Sequence, residues 1–326
     1  MSHAGTVLVL AGGLSHERDV SLRSGRRVVE ALRAAGVETH LADVDAGLLP
    51  ALQADRPDVV FPILHGAAGE DGALRDVLDL LELPYVGSDA AACRLAFDKP
   101  TAKAMVAGAG VATPASAALP HALFRDLGAG AVLDALVARL GLPLFVKPAR
   151  GGSALGCALA RTPEDLPAAM RGCFGYGDTA LVEQFVDGVE IAVSVVDTGS
   201  GPTALAAVEI VPDSGSYDYA ARYTAGATRF FVPARISGAA AARAAETALV
   251  AHRGLGLRDL SRTDLVVDAE GTPWFLEVNV APGLTETSLL PQAAEAAGLP
   301  AGDLYRALVE RARTRERPLS RSRQVA

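Results

Sequence analysis

The run Trp274-Phe275-Leu276-Glu277-Val278-Asn279-Val280-Ala281-Pro282-Gly283 reads as a strand. Glu277 and Asn279 are two apart on it, and strand side chains alternate, so both point to one face. A carboxylate and an amide on one face are hard oxygen ligands that suit Mg²⁺ and leave room for phosphate oxygens. Upstream, Leu260 to Val267 is a second strand candidate carrying Arg262 and Asp264 at the same spacing. The segment between, Asp268-Ala269-Glu270-Gly271, has hairpin chemistry. A four-residue loop there sets Arg262 across from Glu277, with Asp264 as a diagonal neighbour on their face. A slip of one residue would put the two pairs on opposite faces. Taken alone, the hairpin is equally compatible with a solvated polar face.

Working outward, the 326 residues suffice for two or three domains, and half of them are hydrophobic. A net charge of −8 without a basic stripe argues against nucleic acid as a partner. The one basic run, Arg311 to Arg323, is expected to be a helix end fraying into a disordered tail. Cys93, Cys157 and Cys173 lack Cys-x-x-Cys spacing, which fits a reducing cytosol, and the histidines do not cluster with them as a zinc site would require. No signal peptide and no membrane-spanning helix are expected, so the location is cytoplasmic with no membrane partner. Lysine is rare: of 30 Lys plus Arg, only Lys99, Lys103 and Lys147 are lysines. A lysine kept against such an arginine bias marks a place for a compact, flexible ammonium.

Toward the N-terminus, Thr6 to Leu10 is a buried-type strand followed by Gly12-Gly13, without the Gly-x-Gly-x-x-Gly spacing of a dinucleotide site. Ser21 is placed as the cap of a helix to about Ala35, with Glu17 on the loop before it. Asp58 to Leu64 is the next strand and runs into His65-Gly66-Ala67-Ala68-Gly69-Glu70-Asp71-Gly72. Both loops therefore lie at the carboxyl edge of an open sheet, where ligands bind. Leu144 to Pro148 is a strand carrying Lys147, and Arg150 to Gly156 is a glycine-rich loop able to cradle phosphates through backbone amides. Asp213 to Arg229 is long and polar, as expected for a lid.

These motifs, in this order from Leu8 to about Ala312, resemble the D-alanine–D-alanine ligase family of the ATP-grasp fold. The matching residues are Gly12-Gly13-x-Ser15-x-Glu17-Arg18-x-Val20-Ser21, His65-Gly66-x-x-Gly69-Glu70-Asp71-Gly72, Val146-Lys147-Pro148 with Gly152-Ser153, Tyr217-Asp218-Tyr219, and Leu276-Glu277-x-Asn279-x-x-Pro282-Gly283. The resemblance implies an α/β and α+β chain of three domains. Residues 1–88 would form an open parallel-sheet domain on the substrate side. Residues 89–182 and 183–312 would form two α+β domains gripping ATP, and 313–326 a disordered tail. It implies that Lys99 and Lys147 touch the ATP phosphates, that Glu183 and the backbone near Val186 hold adenine, and that Glu190 holds the ribose. The Arg150 to Gly156 loop, with Gly152 and Ser153 binding ATP, would cover the γ-phosphate. Asp264, Glu277 and Asn279 would hold two Mg²⁺, for which Mn²⁺ can substitute.

Glu17 would bind the ammonium of a first D-alanine near His65, and Ser288 with the backbone at Leu289 the carboxylate of a second. Arg262 and the Gly283 amide would stabilise the oxyanion, and Tyr223 would link to Glu17 and Ser153. Tyr223 favours an amine acceptor over the D-lactate ester. Departures from the family pattern are Arg222 in place of Lys, Val280-Ala281 in place of Thr-Ser, and Ala154 in place of Ser. They keep open a sibling ligase that takes D-serine or another second amino acid. The family commonly forms a homodimer, but the sequence shows no interface.

Overall fold

The computed structural model describes residues 5–213, 215, 221, 222, 224 and 226–315. Three sheets organise them. The first is parallel, in the order β2-β1-β3, from β1 (Val7–Ala11), β2 (Thr39–Asp43) and β3 (Val59–Pro62). The crossovers are α1 (Arg18–Ala34) and α2 (Leu48–Ala54); α3 (Ala67–Glu70) and α4 (Ala73–Leu80) follow β3. Val7, Val9 and Leu10 are fully buried because helices cover both faces. The carboxyl edge thus carries the loops holding Glu17 and His65, as the sequence pattern requires. Ser21 is a correction. It lies inside α1 rather than at its cap, and its Oγ accepts from the Gly12 amide at 2.8 Å and donates to the Ile63 carbonyl at 2.5 Å. The hydroxyl therefore ties the two edge loops together.

Two helices, α5 (Ala90–Phe97) and α6 (Lys99–Gly108), lead to the second sheet. Asp98 caps α6 by accepting from the Thr101 amide at 3.1 Å, and Pro100 occupies its first turn. The second sheet is antiparallel, in the order β4-β7-β5-β6. Its elements in chain order are β4 (Ser116–Pro120), α7 (His121–Leu127), α8 (Ala129–Leu140), β5 (Leu144–Pro148), β6 (Ala158–Ala160), α9 (Leu166–Phe174) and β7 (Thr179–Gln184).

The third sheet comprises β8 (Val189–Val196), β9 (Thr203–Ala204), β10 (Val208–Pro212), β11 (Thr228–Phe231), then, after α10 (Gly238–Gly254), β12 (Leu260–Val267) and β13 (Pro273–Asn279). Its order is β11-β10-β8-β12-β13, with β9 on β8. Strand β8 is apolar from Ile191 to Val196 except for Ser194, because that stretch is buried on both faces. Ile191, Val193 and Val195 pack toward α10, α5 and α6, while Ala192 and Val196 share a cluster with residues of the first sheet. The helices α11 (Leu289–Ala296) and α12 (Ala301–Thr314) close the chain, with Tyr305 of α12 edge-on to Phe61 of β3 at 5.9 Å.

The β12–β13 register corrects the expected one. Arg262 lies opposite Asn279, and Asp264 opposite Glu277. The turn runs from Asp268 to Thr272, one residue longer than expected, which alone would send the two pairs to opposite faces. A β-bulge between Asp264 and Leu265 supplies the second shift and returns all four side chains to one face. The face survives and the pairing moves by two.

Candidate active site

The carboxyl edge of the first sheet, the loop after β5, and the face of β12–β13 converge on two adjoining cavities. One, of about 330 Å³, is lined by Glu17, His65, Glu70, Ser153, Arg262, Asn279, Gly283, Ser288 and Leu289. The other, of about 270 Å³, is lined by Lys147, Glu183, Val186, Glu190 and Asp264. Lys99, Gly151, Gly152, Arg222 and Glu277 line both, so they form the shared wall. Each described residue to which the resemblance gives a substrate, nucleotide or metal role therefore lines one of these two spaces, whereas Lys103 lines neither. Tyr217, Tyr219 and Tyr223, expected on the lid, lie outside the described residues.

In the first cavity, the Ser153 hydroxyl donates to Glu17 Oε1, joining the glycine-rich loop after β5 to the loop after β1. His65 is buried, and burial pushes its imidazole below its ordinary value, against the opposing charge of Glu17. The ring is accordingly neutral. Its Nδ1 lies 3.0 Å from the Ala281 carbonyl, which can only accept, so Nδ1 carries the proton and Nε2 is a bare acceptor. Nε2 has no partner among the described residues. A neutral His acceptor beside the Glu17 carboxylate suits an ammonium ligand.

The loop from His65 is held by Glu70, whose carboxyl accepts from the Gly66 amide at 2.9 Å. Burial, with the Glu17 charge adding to it, pushes Glu70 up to about 8. Sequence reading gave Glu70 no role; only its place in the glycine-rich motif could have flagged it. The Ser288 Oγ accepts from the Thr285 amide at 3.0 Å and fixes the turn that opens α11 into the cavity.

At the shared wall, Lys99 donates to the Gly151 carbonyl at 2.6 Å and pairs with Glu277 at 3.2 Å. Burial works to raise Glu277, but Lys99, Lys147 and Arg222 outweigh it and hold the carboxyl down to about 2. Glu277 is thus ionised at neutral pH. Ser153 and Ala154 both take φ of +56°, a left-handed strain kept in a glycine-rich loop beside the site.

In the second cavity, Lys147 pairs with Glu183 at 2.6 Å. Lys103, unassigned in the sequence, pairs with the other oxygen of the same carboxylate. Its spacing of four from Lys99 on α6 was the available signal, since such residues share a helix face. Burial pushes Glu190 up to about 7, with Arg222 opposing. Arg262 grips Asp264 through two bonds of 2.7 and 2.8 Å, a fork-to-fork geometry that locks both side chains.

The donor set Asp264, Glu277 and Asn279 fits a hard divalent cation. Two carboxylates face one another across the strands, an amide oxygen shares their face, and Mg²⁺ commonly takes few protein oxygens and completes its shell from phosphate and water. Among the described residues no group of three or more His, Cys, Asp or Glu side chains could hold a metal. The proposed set depends on Asn279 as its third member.

A family profile described as D-ala D-ala ligase C-terminus matches residues 105–310, and one described as D-ala D-ala ligase N-terminus matches residues 49–88. The chain belongs to the D-alanine–D-alanine ligase family. A D-alanine–D-alanine ligase of Anaeromyxobacter dehalogenans is 43% identical over 298 residues, 91% of this chain and 94% of that one. One of Bordetella petrii is 42% identical over 308 residues, covering 94% and 92%. Among solved structures, the VanG D-Ala:D-Ser ligase from Enterococcus faecalis superposes with a TM-score of 0.81 at 28% identity, covering 94% of this chain and 99% of that one. The D-alanine–D-alanine ligase from Bacillus anthracis complexed with ATP gives 0.78 at 26% identity, covering 95% and 97%. The ATP-grasp fold expected from the motifs is therefore that of the family's solved members. Among the described residues, no helix is long and apolar enough to cross a membrane.

Proposed function

We propose that the chain joins two D-alanine molecules to D-alanyl-D-alanine at the expense of ATP, in the cytoplasm, for peptidoglycan precursors. The observation that carries this reading is the shared wall: a lysine, an ionised glutamate, an arginine and a glycine-rich loop stand between a cavity suited to an amino acid and one suited to a nucleotide. Phosphoryl transfer needs that juxtaposition, because the enzyme's part is positioning and neutralisation of charge.

A carboxylate is a poor acyl donor because its leaving group would be oxide. In the proposed reaction, an oxygen of the first D-alanine carboxylate attacks the γ-phosphorus and ADP departs, leaving a D-alanyl phosphate. Glu17 and the bare Nε2 of His65 hold the ammonium of that substrate. Lys99, Lys147 and Arg222 neutralise the phosphates, with loop amides at Gly152 and Ser153. Glu183, the Val186 backbone and Glu190 hold the nucleoside. Asp264, Glu277 and Asn279 would hold Mg²⁺ or Mn²⁺, which supplies further charge neutralisation at the phosphates.

The second D-alanine, its carboxylate on Ser288 and the Leu289 amide, attacks the acyl carbon through its free amine. Arg262 and the Gly283 amide stabilise the resulting oxyanion. Collapse expels inorganic phosphate and the amine loses a proton, leaving the peptide bond. Tyr223 is assigned to the link with Glu17 and Ser153.

The test is ADP and phosphate release with ATP, Mg²⁺ and D-alanine alone, beside D-alanine paired with D-serine, D-lactate or L-amino acids, with products weighed by mass spectrometry. Fastest turnover with D-alanine alone, giving the dipeptide, is expected. Faster turnover with a pair would assign the chain to a sibling activity, to which the buried Val280-Ala281 pair would contribute.

A further inference from the structure

We propose that Lys103 is a positioning residue of the nucleotide site: it holds Glu183 as a permanent counter-ion, so that Lys147 can turn from that carboxylate to a phosphate. The inference rests on the reading that ATP occupies the second cavity, and assigns to the site a residue that does not line it.

Glu183 is 2% exposed on β7, and its two oxygens are taken by different lysines, Lys103 from α6 and Lys147 from β5. Two ammonium groups thus share the one Glu183 carboxylate, so either can leave it without stranding it. The cavity decides which lysine is exchangeable. Lys147 is among the residues lining it, whereas Lys103, which holds the other oxygen of Glu183, is not. Lys147 also lies on the face of β5 shared with Glu183, since Phe145 is the direct partner of Glu183 and Lys147 its diagonal neighbour.

A phosphate that draws Lys147 away would strand a buried carboxylate if Lys147 were the sole partner, and stranding a buried charge is far costlier than exchanging one of two partners. Lys103 removes that cost. Its helix makes the arrangement rigid. Lys99 sits one turn earlier on α6 and reaches the phosphate-type loop, so one helix face supplies both the outer and the inner ammonium.

The experiment compares wild type, Lys103→Met, Lys103→Arg, Glu183→Gln and the double variant Glu183→Gln/Lys103→Met. ATP affinity is measured calorimetrically with Mg²⁺, and adenosine, which lacks phosphates, by its inhibition constant. Lys103→Met is expected to weaken ATP by at least about tenfold and adenosine by less than about threefold, because the lost term is a buried-charge penalty felt at the phosphates. Lys103→Arg should stay near wild type, and the KM for D-alanine should not move.

Removing Lys103 in the Glu183→Gln background should alter ATP affinity by less than about twofold, since no carboxylate is left to strand. That last comparison decides the matter even if Lys103→Met fails to fold. Equal losses for ATP and adenosine, no loss for ATP, or a full loss in the Glu183→Gln background would overturn the proposal. A wild type that binds no ATP would instead overturn the functional reading beneath it.

Discussion

Replacing Glu70 by Gln tests the electrostatics of the first cavity. The side chain is buried, and burial followed by the Glu17 charge raises its carboxyl from 4.5 to about 8. Gln keeps the volume and still accepts from the Gly66 amide, so the packing change is small. The unfolded chain releases the Glu70 proton near 4.5, while the folded protein keeps it to about 8. Between these values the native state binds more protons, so this group's contribution is intact below 4.5 and is lost as pH rises to about 8. At about 1.4 kcal/mol per pH unit, wild type loses about 1 kcal/mol by pH 5.5, about 3 by pH 7 and about 5 above pH 9. Gln does not titrate. Urea unfolding of both proteins at these pH values should therefore show Glu70→Gln gaining on wild type, with the gap widening by about 2 kcal/mol from pH 5.5 to pH 7. A gap independent of pH, or one that narrows as pH rises, would refute the buried, protonated Glu70.

Other changes have equally definite outcomes. Glu277→Gln removes the ionised carboxylate from the shared wall and should lower kcat by at least about 10²-fold; retention of a tenth of wild-type turnover would remove Glu277 from the proposed metal set. Arg262→Lys breaks the two-bond grip on Asp264 and should cost about 10²-fold in kcat/KM, because an ammonium cannot reproduce the planar fork. Unchanged kinetics would exclude that grip as a requirement. Gly69→Ala would place a Cβ 2.0 Å from the Leu64 carbonyl oxygen, backbone that cannot yield. A loss of about 3 kcal/mol in chemical unfolding is expected, and a neutral result would show that the loop from His65 can shift.

The loops at the strand ends were legible because they follow from local signals, whereas their meeting around one site came from the family resemblance and not from spacing. The alternation at Glu277 and Asn279 and the glycine-rich loops after β3 and β5 needed no tertiary information. The register of the catalytic hairpin did. A turn one residue longer and a bulge beside Asp264 compensate one another, and neither has a signature in a strand whose both faces carry mixed residues. Ser21 looked like a cap because Ser favours that position; its burial between two edge loops became visible only once β1 and β3 were adjacent. Lys103 and Glu70 were overlooked for a common reason. Each acts through another residue, Lys103 through Glu183 and Glu70 through the Gly66 amide, and such partnerships span 80 residues in one case and only one glycine-rich turn in the other.

In the proposed reaction the D-alanine carboxylate is phosphorylated before the amine attacks. The most direct measurement supplies D-alanine labelled with ¹⁸O in its carboxylate, with ATP and Mg²⁺, and follows the label into products by mass spectrometry. The attacking carboxylate oxygen leaves with the phosphate, so released phosphate should carry one ¹⁸O per dipeptide formed. Unlabelled phosphate alongside dipeptide would contradict the acyl-phosphate step, and labelled D-alanine recovered unchanged with ATP intact would contradict the ligase reading as a whole.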